Sequence, residues 1–128
     1  MNTLLLTTFF PNSVQPTRTV FVKNLANELR KRCGLTVVAT VPYAPPLPGG
    51  KWSRYREIPA EEDLDGFHLF HPRYAVIPGQ ERLTGFFYYR SLYGFIKKMH
   101  GAVGFSLIHA HCAYPDGYGA FLIARRLK

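Results

Sequence analysis

The chain has 128 residues, 47% of them hydrophobic, which is enough for one domain with a real core and too apolar for low-complexity disorder. Sixteen Lys and Arg against eight Asp and Glu give a formal net charge of +8, a surface that attracts nucleic acid, acidic lipid or phosphorylated substrates without choosing among them. The two cysteines, Cys33 and Cys112, make no disulfide framework, so a reducing cytoplasm is the simpler compartment.

The N-terminus lacks a basic stretch, its apolar run is short, and no small-residue cleavage site follows. Residues 3–8 therefore predict a buried first strand rather than a signal peptide. No stretch is long enough to span a bilayer. Pro11, Asn12, Ser13 and Pro16 mark a loop. Thr17 is the expected N-cap of a helix running to about residue 32. Val22, Leu25, Ala26, Leu29 and Cys33 recur at helical spacing and form its expected buried face. Gly34 stops it. Residues 35–41 predict a second strand, rich in β-branched residues and apolar on both faces, as parallel strands tend to be.

Residues 42–50 form a Pro/Gly-rich loop, read either as a surface excursion or as a lid or acceptor loop. Residues 57–65 are acidic and expected in solvent. Residues 67–71 predict a third strand, and 73–80 are expected to be irregular. Residues 81–100 form the longest helix candidate, aromatic nearly all round and basic at its end; Gly101 and Gly104 close it. Residues 106–109 predict a fourth strand, ending near His111. Residues 117–128 begin a further helix with Asp116 as N-cap. Strand, helix, strand, loop, strand, helix, strand, helix is an α/β pattern with a Rossmann-like, mainly parallel sheet. The pattern stops without a next strand, so the expectation is one domain over residues 1–128, incomplete at its C-terminal end.

Two histidines two residues apart, His109 and His111, close the fourth strand, and alternation sends both imidazoles to one side. Ligands of open parallel sheets bind at the carboxyl ends of strands, so a polar site role is favoured over a metal pair or a structural histidine. Asp116-Gly117 reads first as a cap and a tight turn, and second as a set of amides facing a phosphate. Arg18 at a helix start conflicts with the helix dipole, a conflict that a bound anion would relieve; a plain exposed arginine is the alternative. No G-x-G-x-x-G or Walker pattern is present.

Phe10-Pro11-Asn12-Ser13, Gln15-Pro16-Thr17-Arg18 and Val20-Phe21-Val22 resemble the opening of family-4 retaining glycosyltransferases, which have the two-domain GT-B architecture. Pro72-Arg73-Tyr74, Ile77-Pro78-Gly79, Leu107-Ile108-His109-Ala110-His111 and Tyr114-Pro115-Asp116-Gly117 are similar to the same group, especially to enzymes that build exopolysaccharide or teichuronic-acid-type glycans. The resemblance implies an acceptor-side domain, with a second domain binding the sugar nucleotide across a cleft. It implies His111 as the catalytic residue, and Asn12, Thr17, Arg18, Thr19, His109, Asp116 and Gly117 as substrate-binding residues. The partners implied are a nucleotide sugar as co-substrate and a glycan or lipid-linked acceptor, with no cofactor, no metal and no nucleic acid. An anionic membrane surface is expected as a further partner through Phe87, Tyr88, Lys97 and Lys98, on the inner face of the plasma membrane. The alternative to membrane contact is a helix packed on both sides. The family's usual glycine after the loop arginine is Thr19 here, and the domain carrying its paired glutamates has no counterpart in these residues. A non-catalytic remnant and an unrelated flavodoxin-like anion-binding module are the other functions considered.

Overall fold

The computed structural model describes residues 1–44 and 53–127. Most of the Pro/Gly-rich loop, with its expected lid or acceptor role, lies outside them. In chain order the elements are β1 (Asn2–Thr7), α1 (Val20–Leu29), β2 (Gly34–Ala39), β3 (Val41–Pro42) and a 3₁₀ turn (Ser53–Glu57). There follow β4 (Glu61–Leu64), β5 (Phe67–Phe70), β6 (Arg73–Tyr74), α2 (Glu81–Val103), β7 (Leu107–Ala110) and α3 (Tyr118–Arg126).

The main sheet has the order β4-β5-β2-β1-β7, with β5, β2, β1 and β7 parallel and β4 antiparallel at one edge. This is the expected α/β, Rossmann-like arrangement. Leu4, Leu5 and Leu6 of β1 are fully buried because helices cover both faces of the sheet. Alternation sorts them. Leu4 and Leu6 pack with Tyr88, Leu92 and Ile96 of α2 and Ile123 of α3. Leu5 packs with Val22 and Ala26 of α1. Each buried leucine contributes about 1.5–3 kcal/mol of hydrophobic stabilisation.

Four local expectations are corrected. Thr17 is exposed and caps nothing; α1 starts at Val20, and Thr19 holds the N-cap position in a left-handed conformation, φ 43°. The acidic segment is partly a strand, because Asp65 (φ 52°) and Gly66 (φ 83°) make a two-residue hairpin turn that returns β4 onto β5. Residues 73–74 are not irregular but pair with β3. Helix α2 runs through Gly101 to Val103 and ends at Gly104, φ 72°, whose N–H donates to the His100 carbonyl at 2.8 Å.

Two glycines set how closely α3 and the segment before it approach α2. A Cβ on Gly119 would lie 2.4 Å from the Tyr88 ring, and one on Gly85 would lie 2.6 Å from the Tyr118 ring. Only hydrogen fits at either place. Among the described residues, no helix is long and apolar enough to cross a membrane.

Candidate functional site

β1 leads by one crossover to β2 and by another to β5, all on one side, while β7 joins on the other side of β1. The strand order reverses between β1 and β7. The crevice outside their carboxyl ends is the switch point at which ligands of open α/β sheets bind.

Two loops meet there. After β1, the Thr8 amide and hydroxyl both donate to Asp116 Oδ2, at 3.0 and 3.4 Å. Asp116 belongs to the wide turn Ala113–Gly117 that follows β7, so this carboxylate ties the two loops across 108 residues of sequence. It makes no side-chain cap bond to α3, which corrects the expected N-cap role. It is fully buried, and Oδ1 has no hydrogen-bond partner among the described residues. Burial pushes its pKa up to about 6, against the bonds from Thr8 that favour the charged form. Gly117 closes the turn by donating its N–H to the Cys112 carbonyl at 2.8 Å. Cys112 is a free, half-buried thiol whose pKa burial raises. The Tyr114–Pro115 bond is cis.

His109 and His111 fall on the same side, as alternation requires. His109 is level with Leu5, whose neighbours are on the α1 face. The His111 ring lies 5.5 Å from the Phe21 ring in the first turn of α1. The N-terminal end of α1, the second histidine and the Asp116 turn therefore gather at one edge. The first N–H groups of a helix lie outside its α-helical ladder; in α1 that of Val22 donates to the Thr19 carbonyl at 3.0 Å, and the first turn has no acidic residue.

The loop before α1 is held from within. Asn12 is buried, and its Oδ1 accepts from the Val14 and Gln15 amides at 3.0 and 2.8 Å. Asn12 is thus a structural Asx turn rather than an open ligand group. Arg18 is neither bare nor fully exposed. Its guanidinium lies 5.4 Å from the Phe9 ring centroid and 5.9 Å from that of Tyr55, and donates to Gln15 Oε1 at 3.0 Å. Thr19 Oγ1 is buried without a hydrogen-bond partner among the described residues. A β-branched residue at positive φ is strained, and this is the position where glycine was expected from the resemblance.

Farther along the edge lie His71 and Glu62, which the motifs did not signal, and Arg73, which one of them contains. His71 is buried, donates through Nδ1 to the Ala39 carbonyl at 2.8 Å, and places Nε2 3.4 Å from Glu62 Oε2. The same Glu62 accepts from the Ser13 amide and hydroxyl, at 2.8 and 3.0 Å. Burial lowers the pKa of His71. Arg73 donates to the carbonyls of His71 (2.7 Å), Tyr55 (3.0 Å) and Ile58. The sequence offered only a His-Pro-Arg run at a strand end as a pointer.

The expected membrane contacts do not share one face. Tyr88 is fully buried, accepts from Thr40 Oγ1 at 3.3 Å, and belongs to the core. Phe87 is half-buried. Lys97 and Lys98 are exposed, but successive helical residues are turned by about 100°, so they point apart. Among the described residues, no group of three His, Cys, Asp or Glu is placed to hold a metal ion. Comparison with protein-family models, with curated proteins and with solved structures finds no match to this chain.

Proposed function

We propose that this chain is the acceptor-side unit of a retaining glycosyltransferase, moving a sugar from a nucleotide-sugar donor to a glycan or lipid-linked acceptor. One observation carries the reading. The loops after β1 and β7, which bear the resemblance, are joined by the Thr8–Asp116 bonds at the switch point, with the start of α1 beside His111. In this role His111 hydrogen-bonds a sugar hydroxyl. The first amides of α1 face the phosphate charge that grows as the leaving group departs, and Arg18 adds a fixed cation nearby. The groups that hold the nucleoside are assigned to a second domain outside these residues, while the diphosphate and the transferred sugar meet this one.

The test is an NMR titration of the chain with uridine and guanosine diphosphate sugars. Shifts concentrated in residues 8–19 and 111–117 are expected, without turnover. No shift with any sugar nucleotide, or shifts elsewhere, overturns the site. Nucleoside diphosphate release by the chain alone, at about 1 s⁻¹ or faster, overturns the assignment of donor groups to another domain. Flavin binding at the first loop would favour a flavodoxin-like module instead.

A further inference from the structure

The acidic residues are unevenly placed. From residue 82 onward the sequence has one, Asp116, and it is buried and engaged by Thr8. The same stretch carries Arg82, Arg90, Lys97, Lys98, Arg125 and Arg126, all exposed. Helix α2 and helix α3 pack side by side, so much of this charge lies in one half of the molecule.

Large aromatic rings share that surface. Phe86, Tyr118 and Phe121 are 48%, 46% and 57% exposed. A groove of about 430 Å³ between the helices is lined by Phe86, Tyr89, Tyr118, Leu122, Arg125 and Arg126. The Arg125 guanidinium sits 5.6 Å from the Phe121 ring centroid, and that of Arg126 sits 5.4 Å from the Tyr93 centroid. Arg82, Tyr93 and Lys97 lie within about 40° of Phe86 around α2, as does Arg90. Phe87 and Lys98 lie roughly 100° or more away, and Tyr88 faces the core. Of the set that the sequence suggested, Lys97 belongs to this cationic-aromatic stripe and Phe87, Tyr88 and Lys98 do not.

We propose that this outer face of α2 and α3 docks on an anionic lipid bilayer. Guanidinium groups bind lipid phosphates in paired hydrogen bonds, and aromatic rings settle at the headgroup level. A face that combines exposed apolar rings with Lys and Arg, and from which the exposed Glu81 at the start of α2 is turned by roughly 140°, is complementary to acidic headgroups over a shallow apolar layer. Leu83, 45% exposed and one turn from Phe86, offers a nucleobase no surface for stacking but suits acyl chains. The inference stands on this surface and not on the transferase reading, so vesicle binding and nucleotide binding can fail separately.

The test is sedimentation of the chain with vesicles of phosphatidylcholine alone and of phosphatidylcholine with phosphatidylglycerol in equal parts. Binding to the acidic vesicles only, weakened by salt, is expected. Arg125→Ser with Arg126→Ser, and separately Phe86→Ser with Phe121→Ser, should each lower the partition by about tenfold or more. All four side chains are exposed, and unchanged melting curves establish that the variants are folded. Absence of binding to acidic vesicles overturns the proposal, as does equal binding to neutral ones or folded variants that bind like the parent. Retention of RNA lost in the same variants, without vesicle binding, reassigns the face to nucleic acid. A dimer that the Phe86→Ser/Phe121→Ser pair converts to monomer reassigns it to a second copy of the chain.

Discussion

Asp116 and His71 lie along one carboxyl edge and are equally hidden, 0% and 1% exposed, yet they respond to pH in opposite senses. Each has one atom well bonded and another without a hydrogen-bond partner among the described residues: Oδ1 of Asp116 and Nε2 of His71. Burial disfavours the charged form of both, which raises the carboxyl and lowers the imidazole. Asp116 holds two loops together at the switch point. His71 holds the ends of β2 and β5 and faces the glutamate that anchors Ser13. In the proposed role the first region meets ligand, and the second stiffens the wall beside it.

The largest expected effect belongs to the first region and to activity. In a two-domain transferase carrying this half, His111→Ala should lower kcat by the equivalent of roughly 2.7–4 kcal/mol, the size of a lost transition-state contact. His109→Ala should act mainly through stability, since His109 is one pair farther from the strand end. Steady-state kinetics on folded variants decides, and equal losses of kcat would show that both imidazoles serve or that the wrong one was chosen.

Next comes the pH dependence of Asp116. Its folded pKa of about 6 lies above the value of about 4 for an unfolded aspartate. The native state therefore holds the extra proton between these values, and the contribution to stability, full at low pH, is lost as pH rises through about 6. Asp116→Asn cannot ionise and keeps an acceptor for Thr8. Urea unfolding of both proteins should show the variant gaining on the parent by on the order of 3 kcal/mol between about pH 4 and neutrality. A difference that stays flat with pH would show that Asp116 is not buried as described.

His71→Asn supplies the mirror test. The variant retains an amide donor for the Ala39 carbonyl but loses ring packing, at a cost of about 1–3 kcal/mol at neutral pH. With its folded pKa below the unfolded value, His71 contributes stability that is present above the ordinary imidazole range and lost as pH falls. The deficit of the variant should shrink in acid. A deficit that grows in acid would mean that Glu62 Oε2, 3.4 Å away, prevails over burial and holds the ring charged.

Tyr88 couples the two regions. Its hydroxyl meets Thr40 at the end of β2 and also stabilises the Asp116 carboxylate. Tyr88→Phe should cost about 1 kcal/mol. It should move the acid transition assigned to Asp116 upward and leave that of His71 in place. NMR titration of the two side chains reads both, and a shift at His71 instead would reverse the assignment.

The sequence is legible where one residue type meets one physical demand. Leu4-Leu5-Leu6 has no role but a strand buried on both faces, and the histidine alternation follows from the pleat. Asp65-Gly66 carried an equally clear hairpin signal, but the acids around it suggested solvent and masked β4, whose Glu62 turns inward to Ser13. Asp116 was misread because a capping aspartate and a buried one look alike until its partner, 108 residues away, is in place. Tyr88 was misread because a helix with aromatics on every side does not say which face is inside. The phenol belongs there because Gly119 leaves it room.

The smallest expected effect tests the strain at the start of α1. Among the described residues, two non-glycine residues have positive φ, Thr19 and Asp65. Asp65 is short, polar and exposed in a turn that favours it. Thr19 is β-branched, and its buried Oγ1 makes no hydrogen bond to the described residues. An L-residue in the left-handed region costs about 1–2 kcal/mol, and glycine removes that cost. Glycine also gives the unfolded chain more freedom, which takes back roughly 0.5–1 kcal/mol. The balance predicts that Thr19→Gly stabilises the fold by a few tenths to about 1 kcal/mol, read as a higher urea midpoint at unchanged slope. The loss of the side chain also opens the backbone beside the first α1 amides, so sugar-nucleotide shifts in the NMR titration should saturate at lower concentration. A lower midpoint would mean that Thr19 is comfortable in this turn. A higher midpoint with weaker nucleotide binding would mean that its hydroxyl is a ligand contact and that the strain is retained for it.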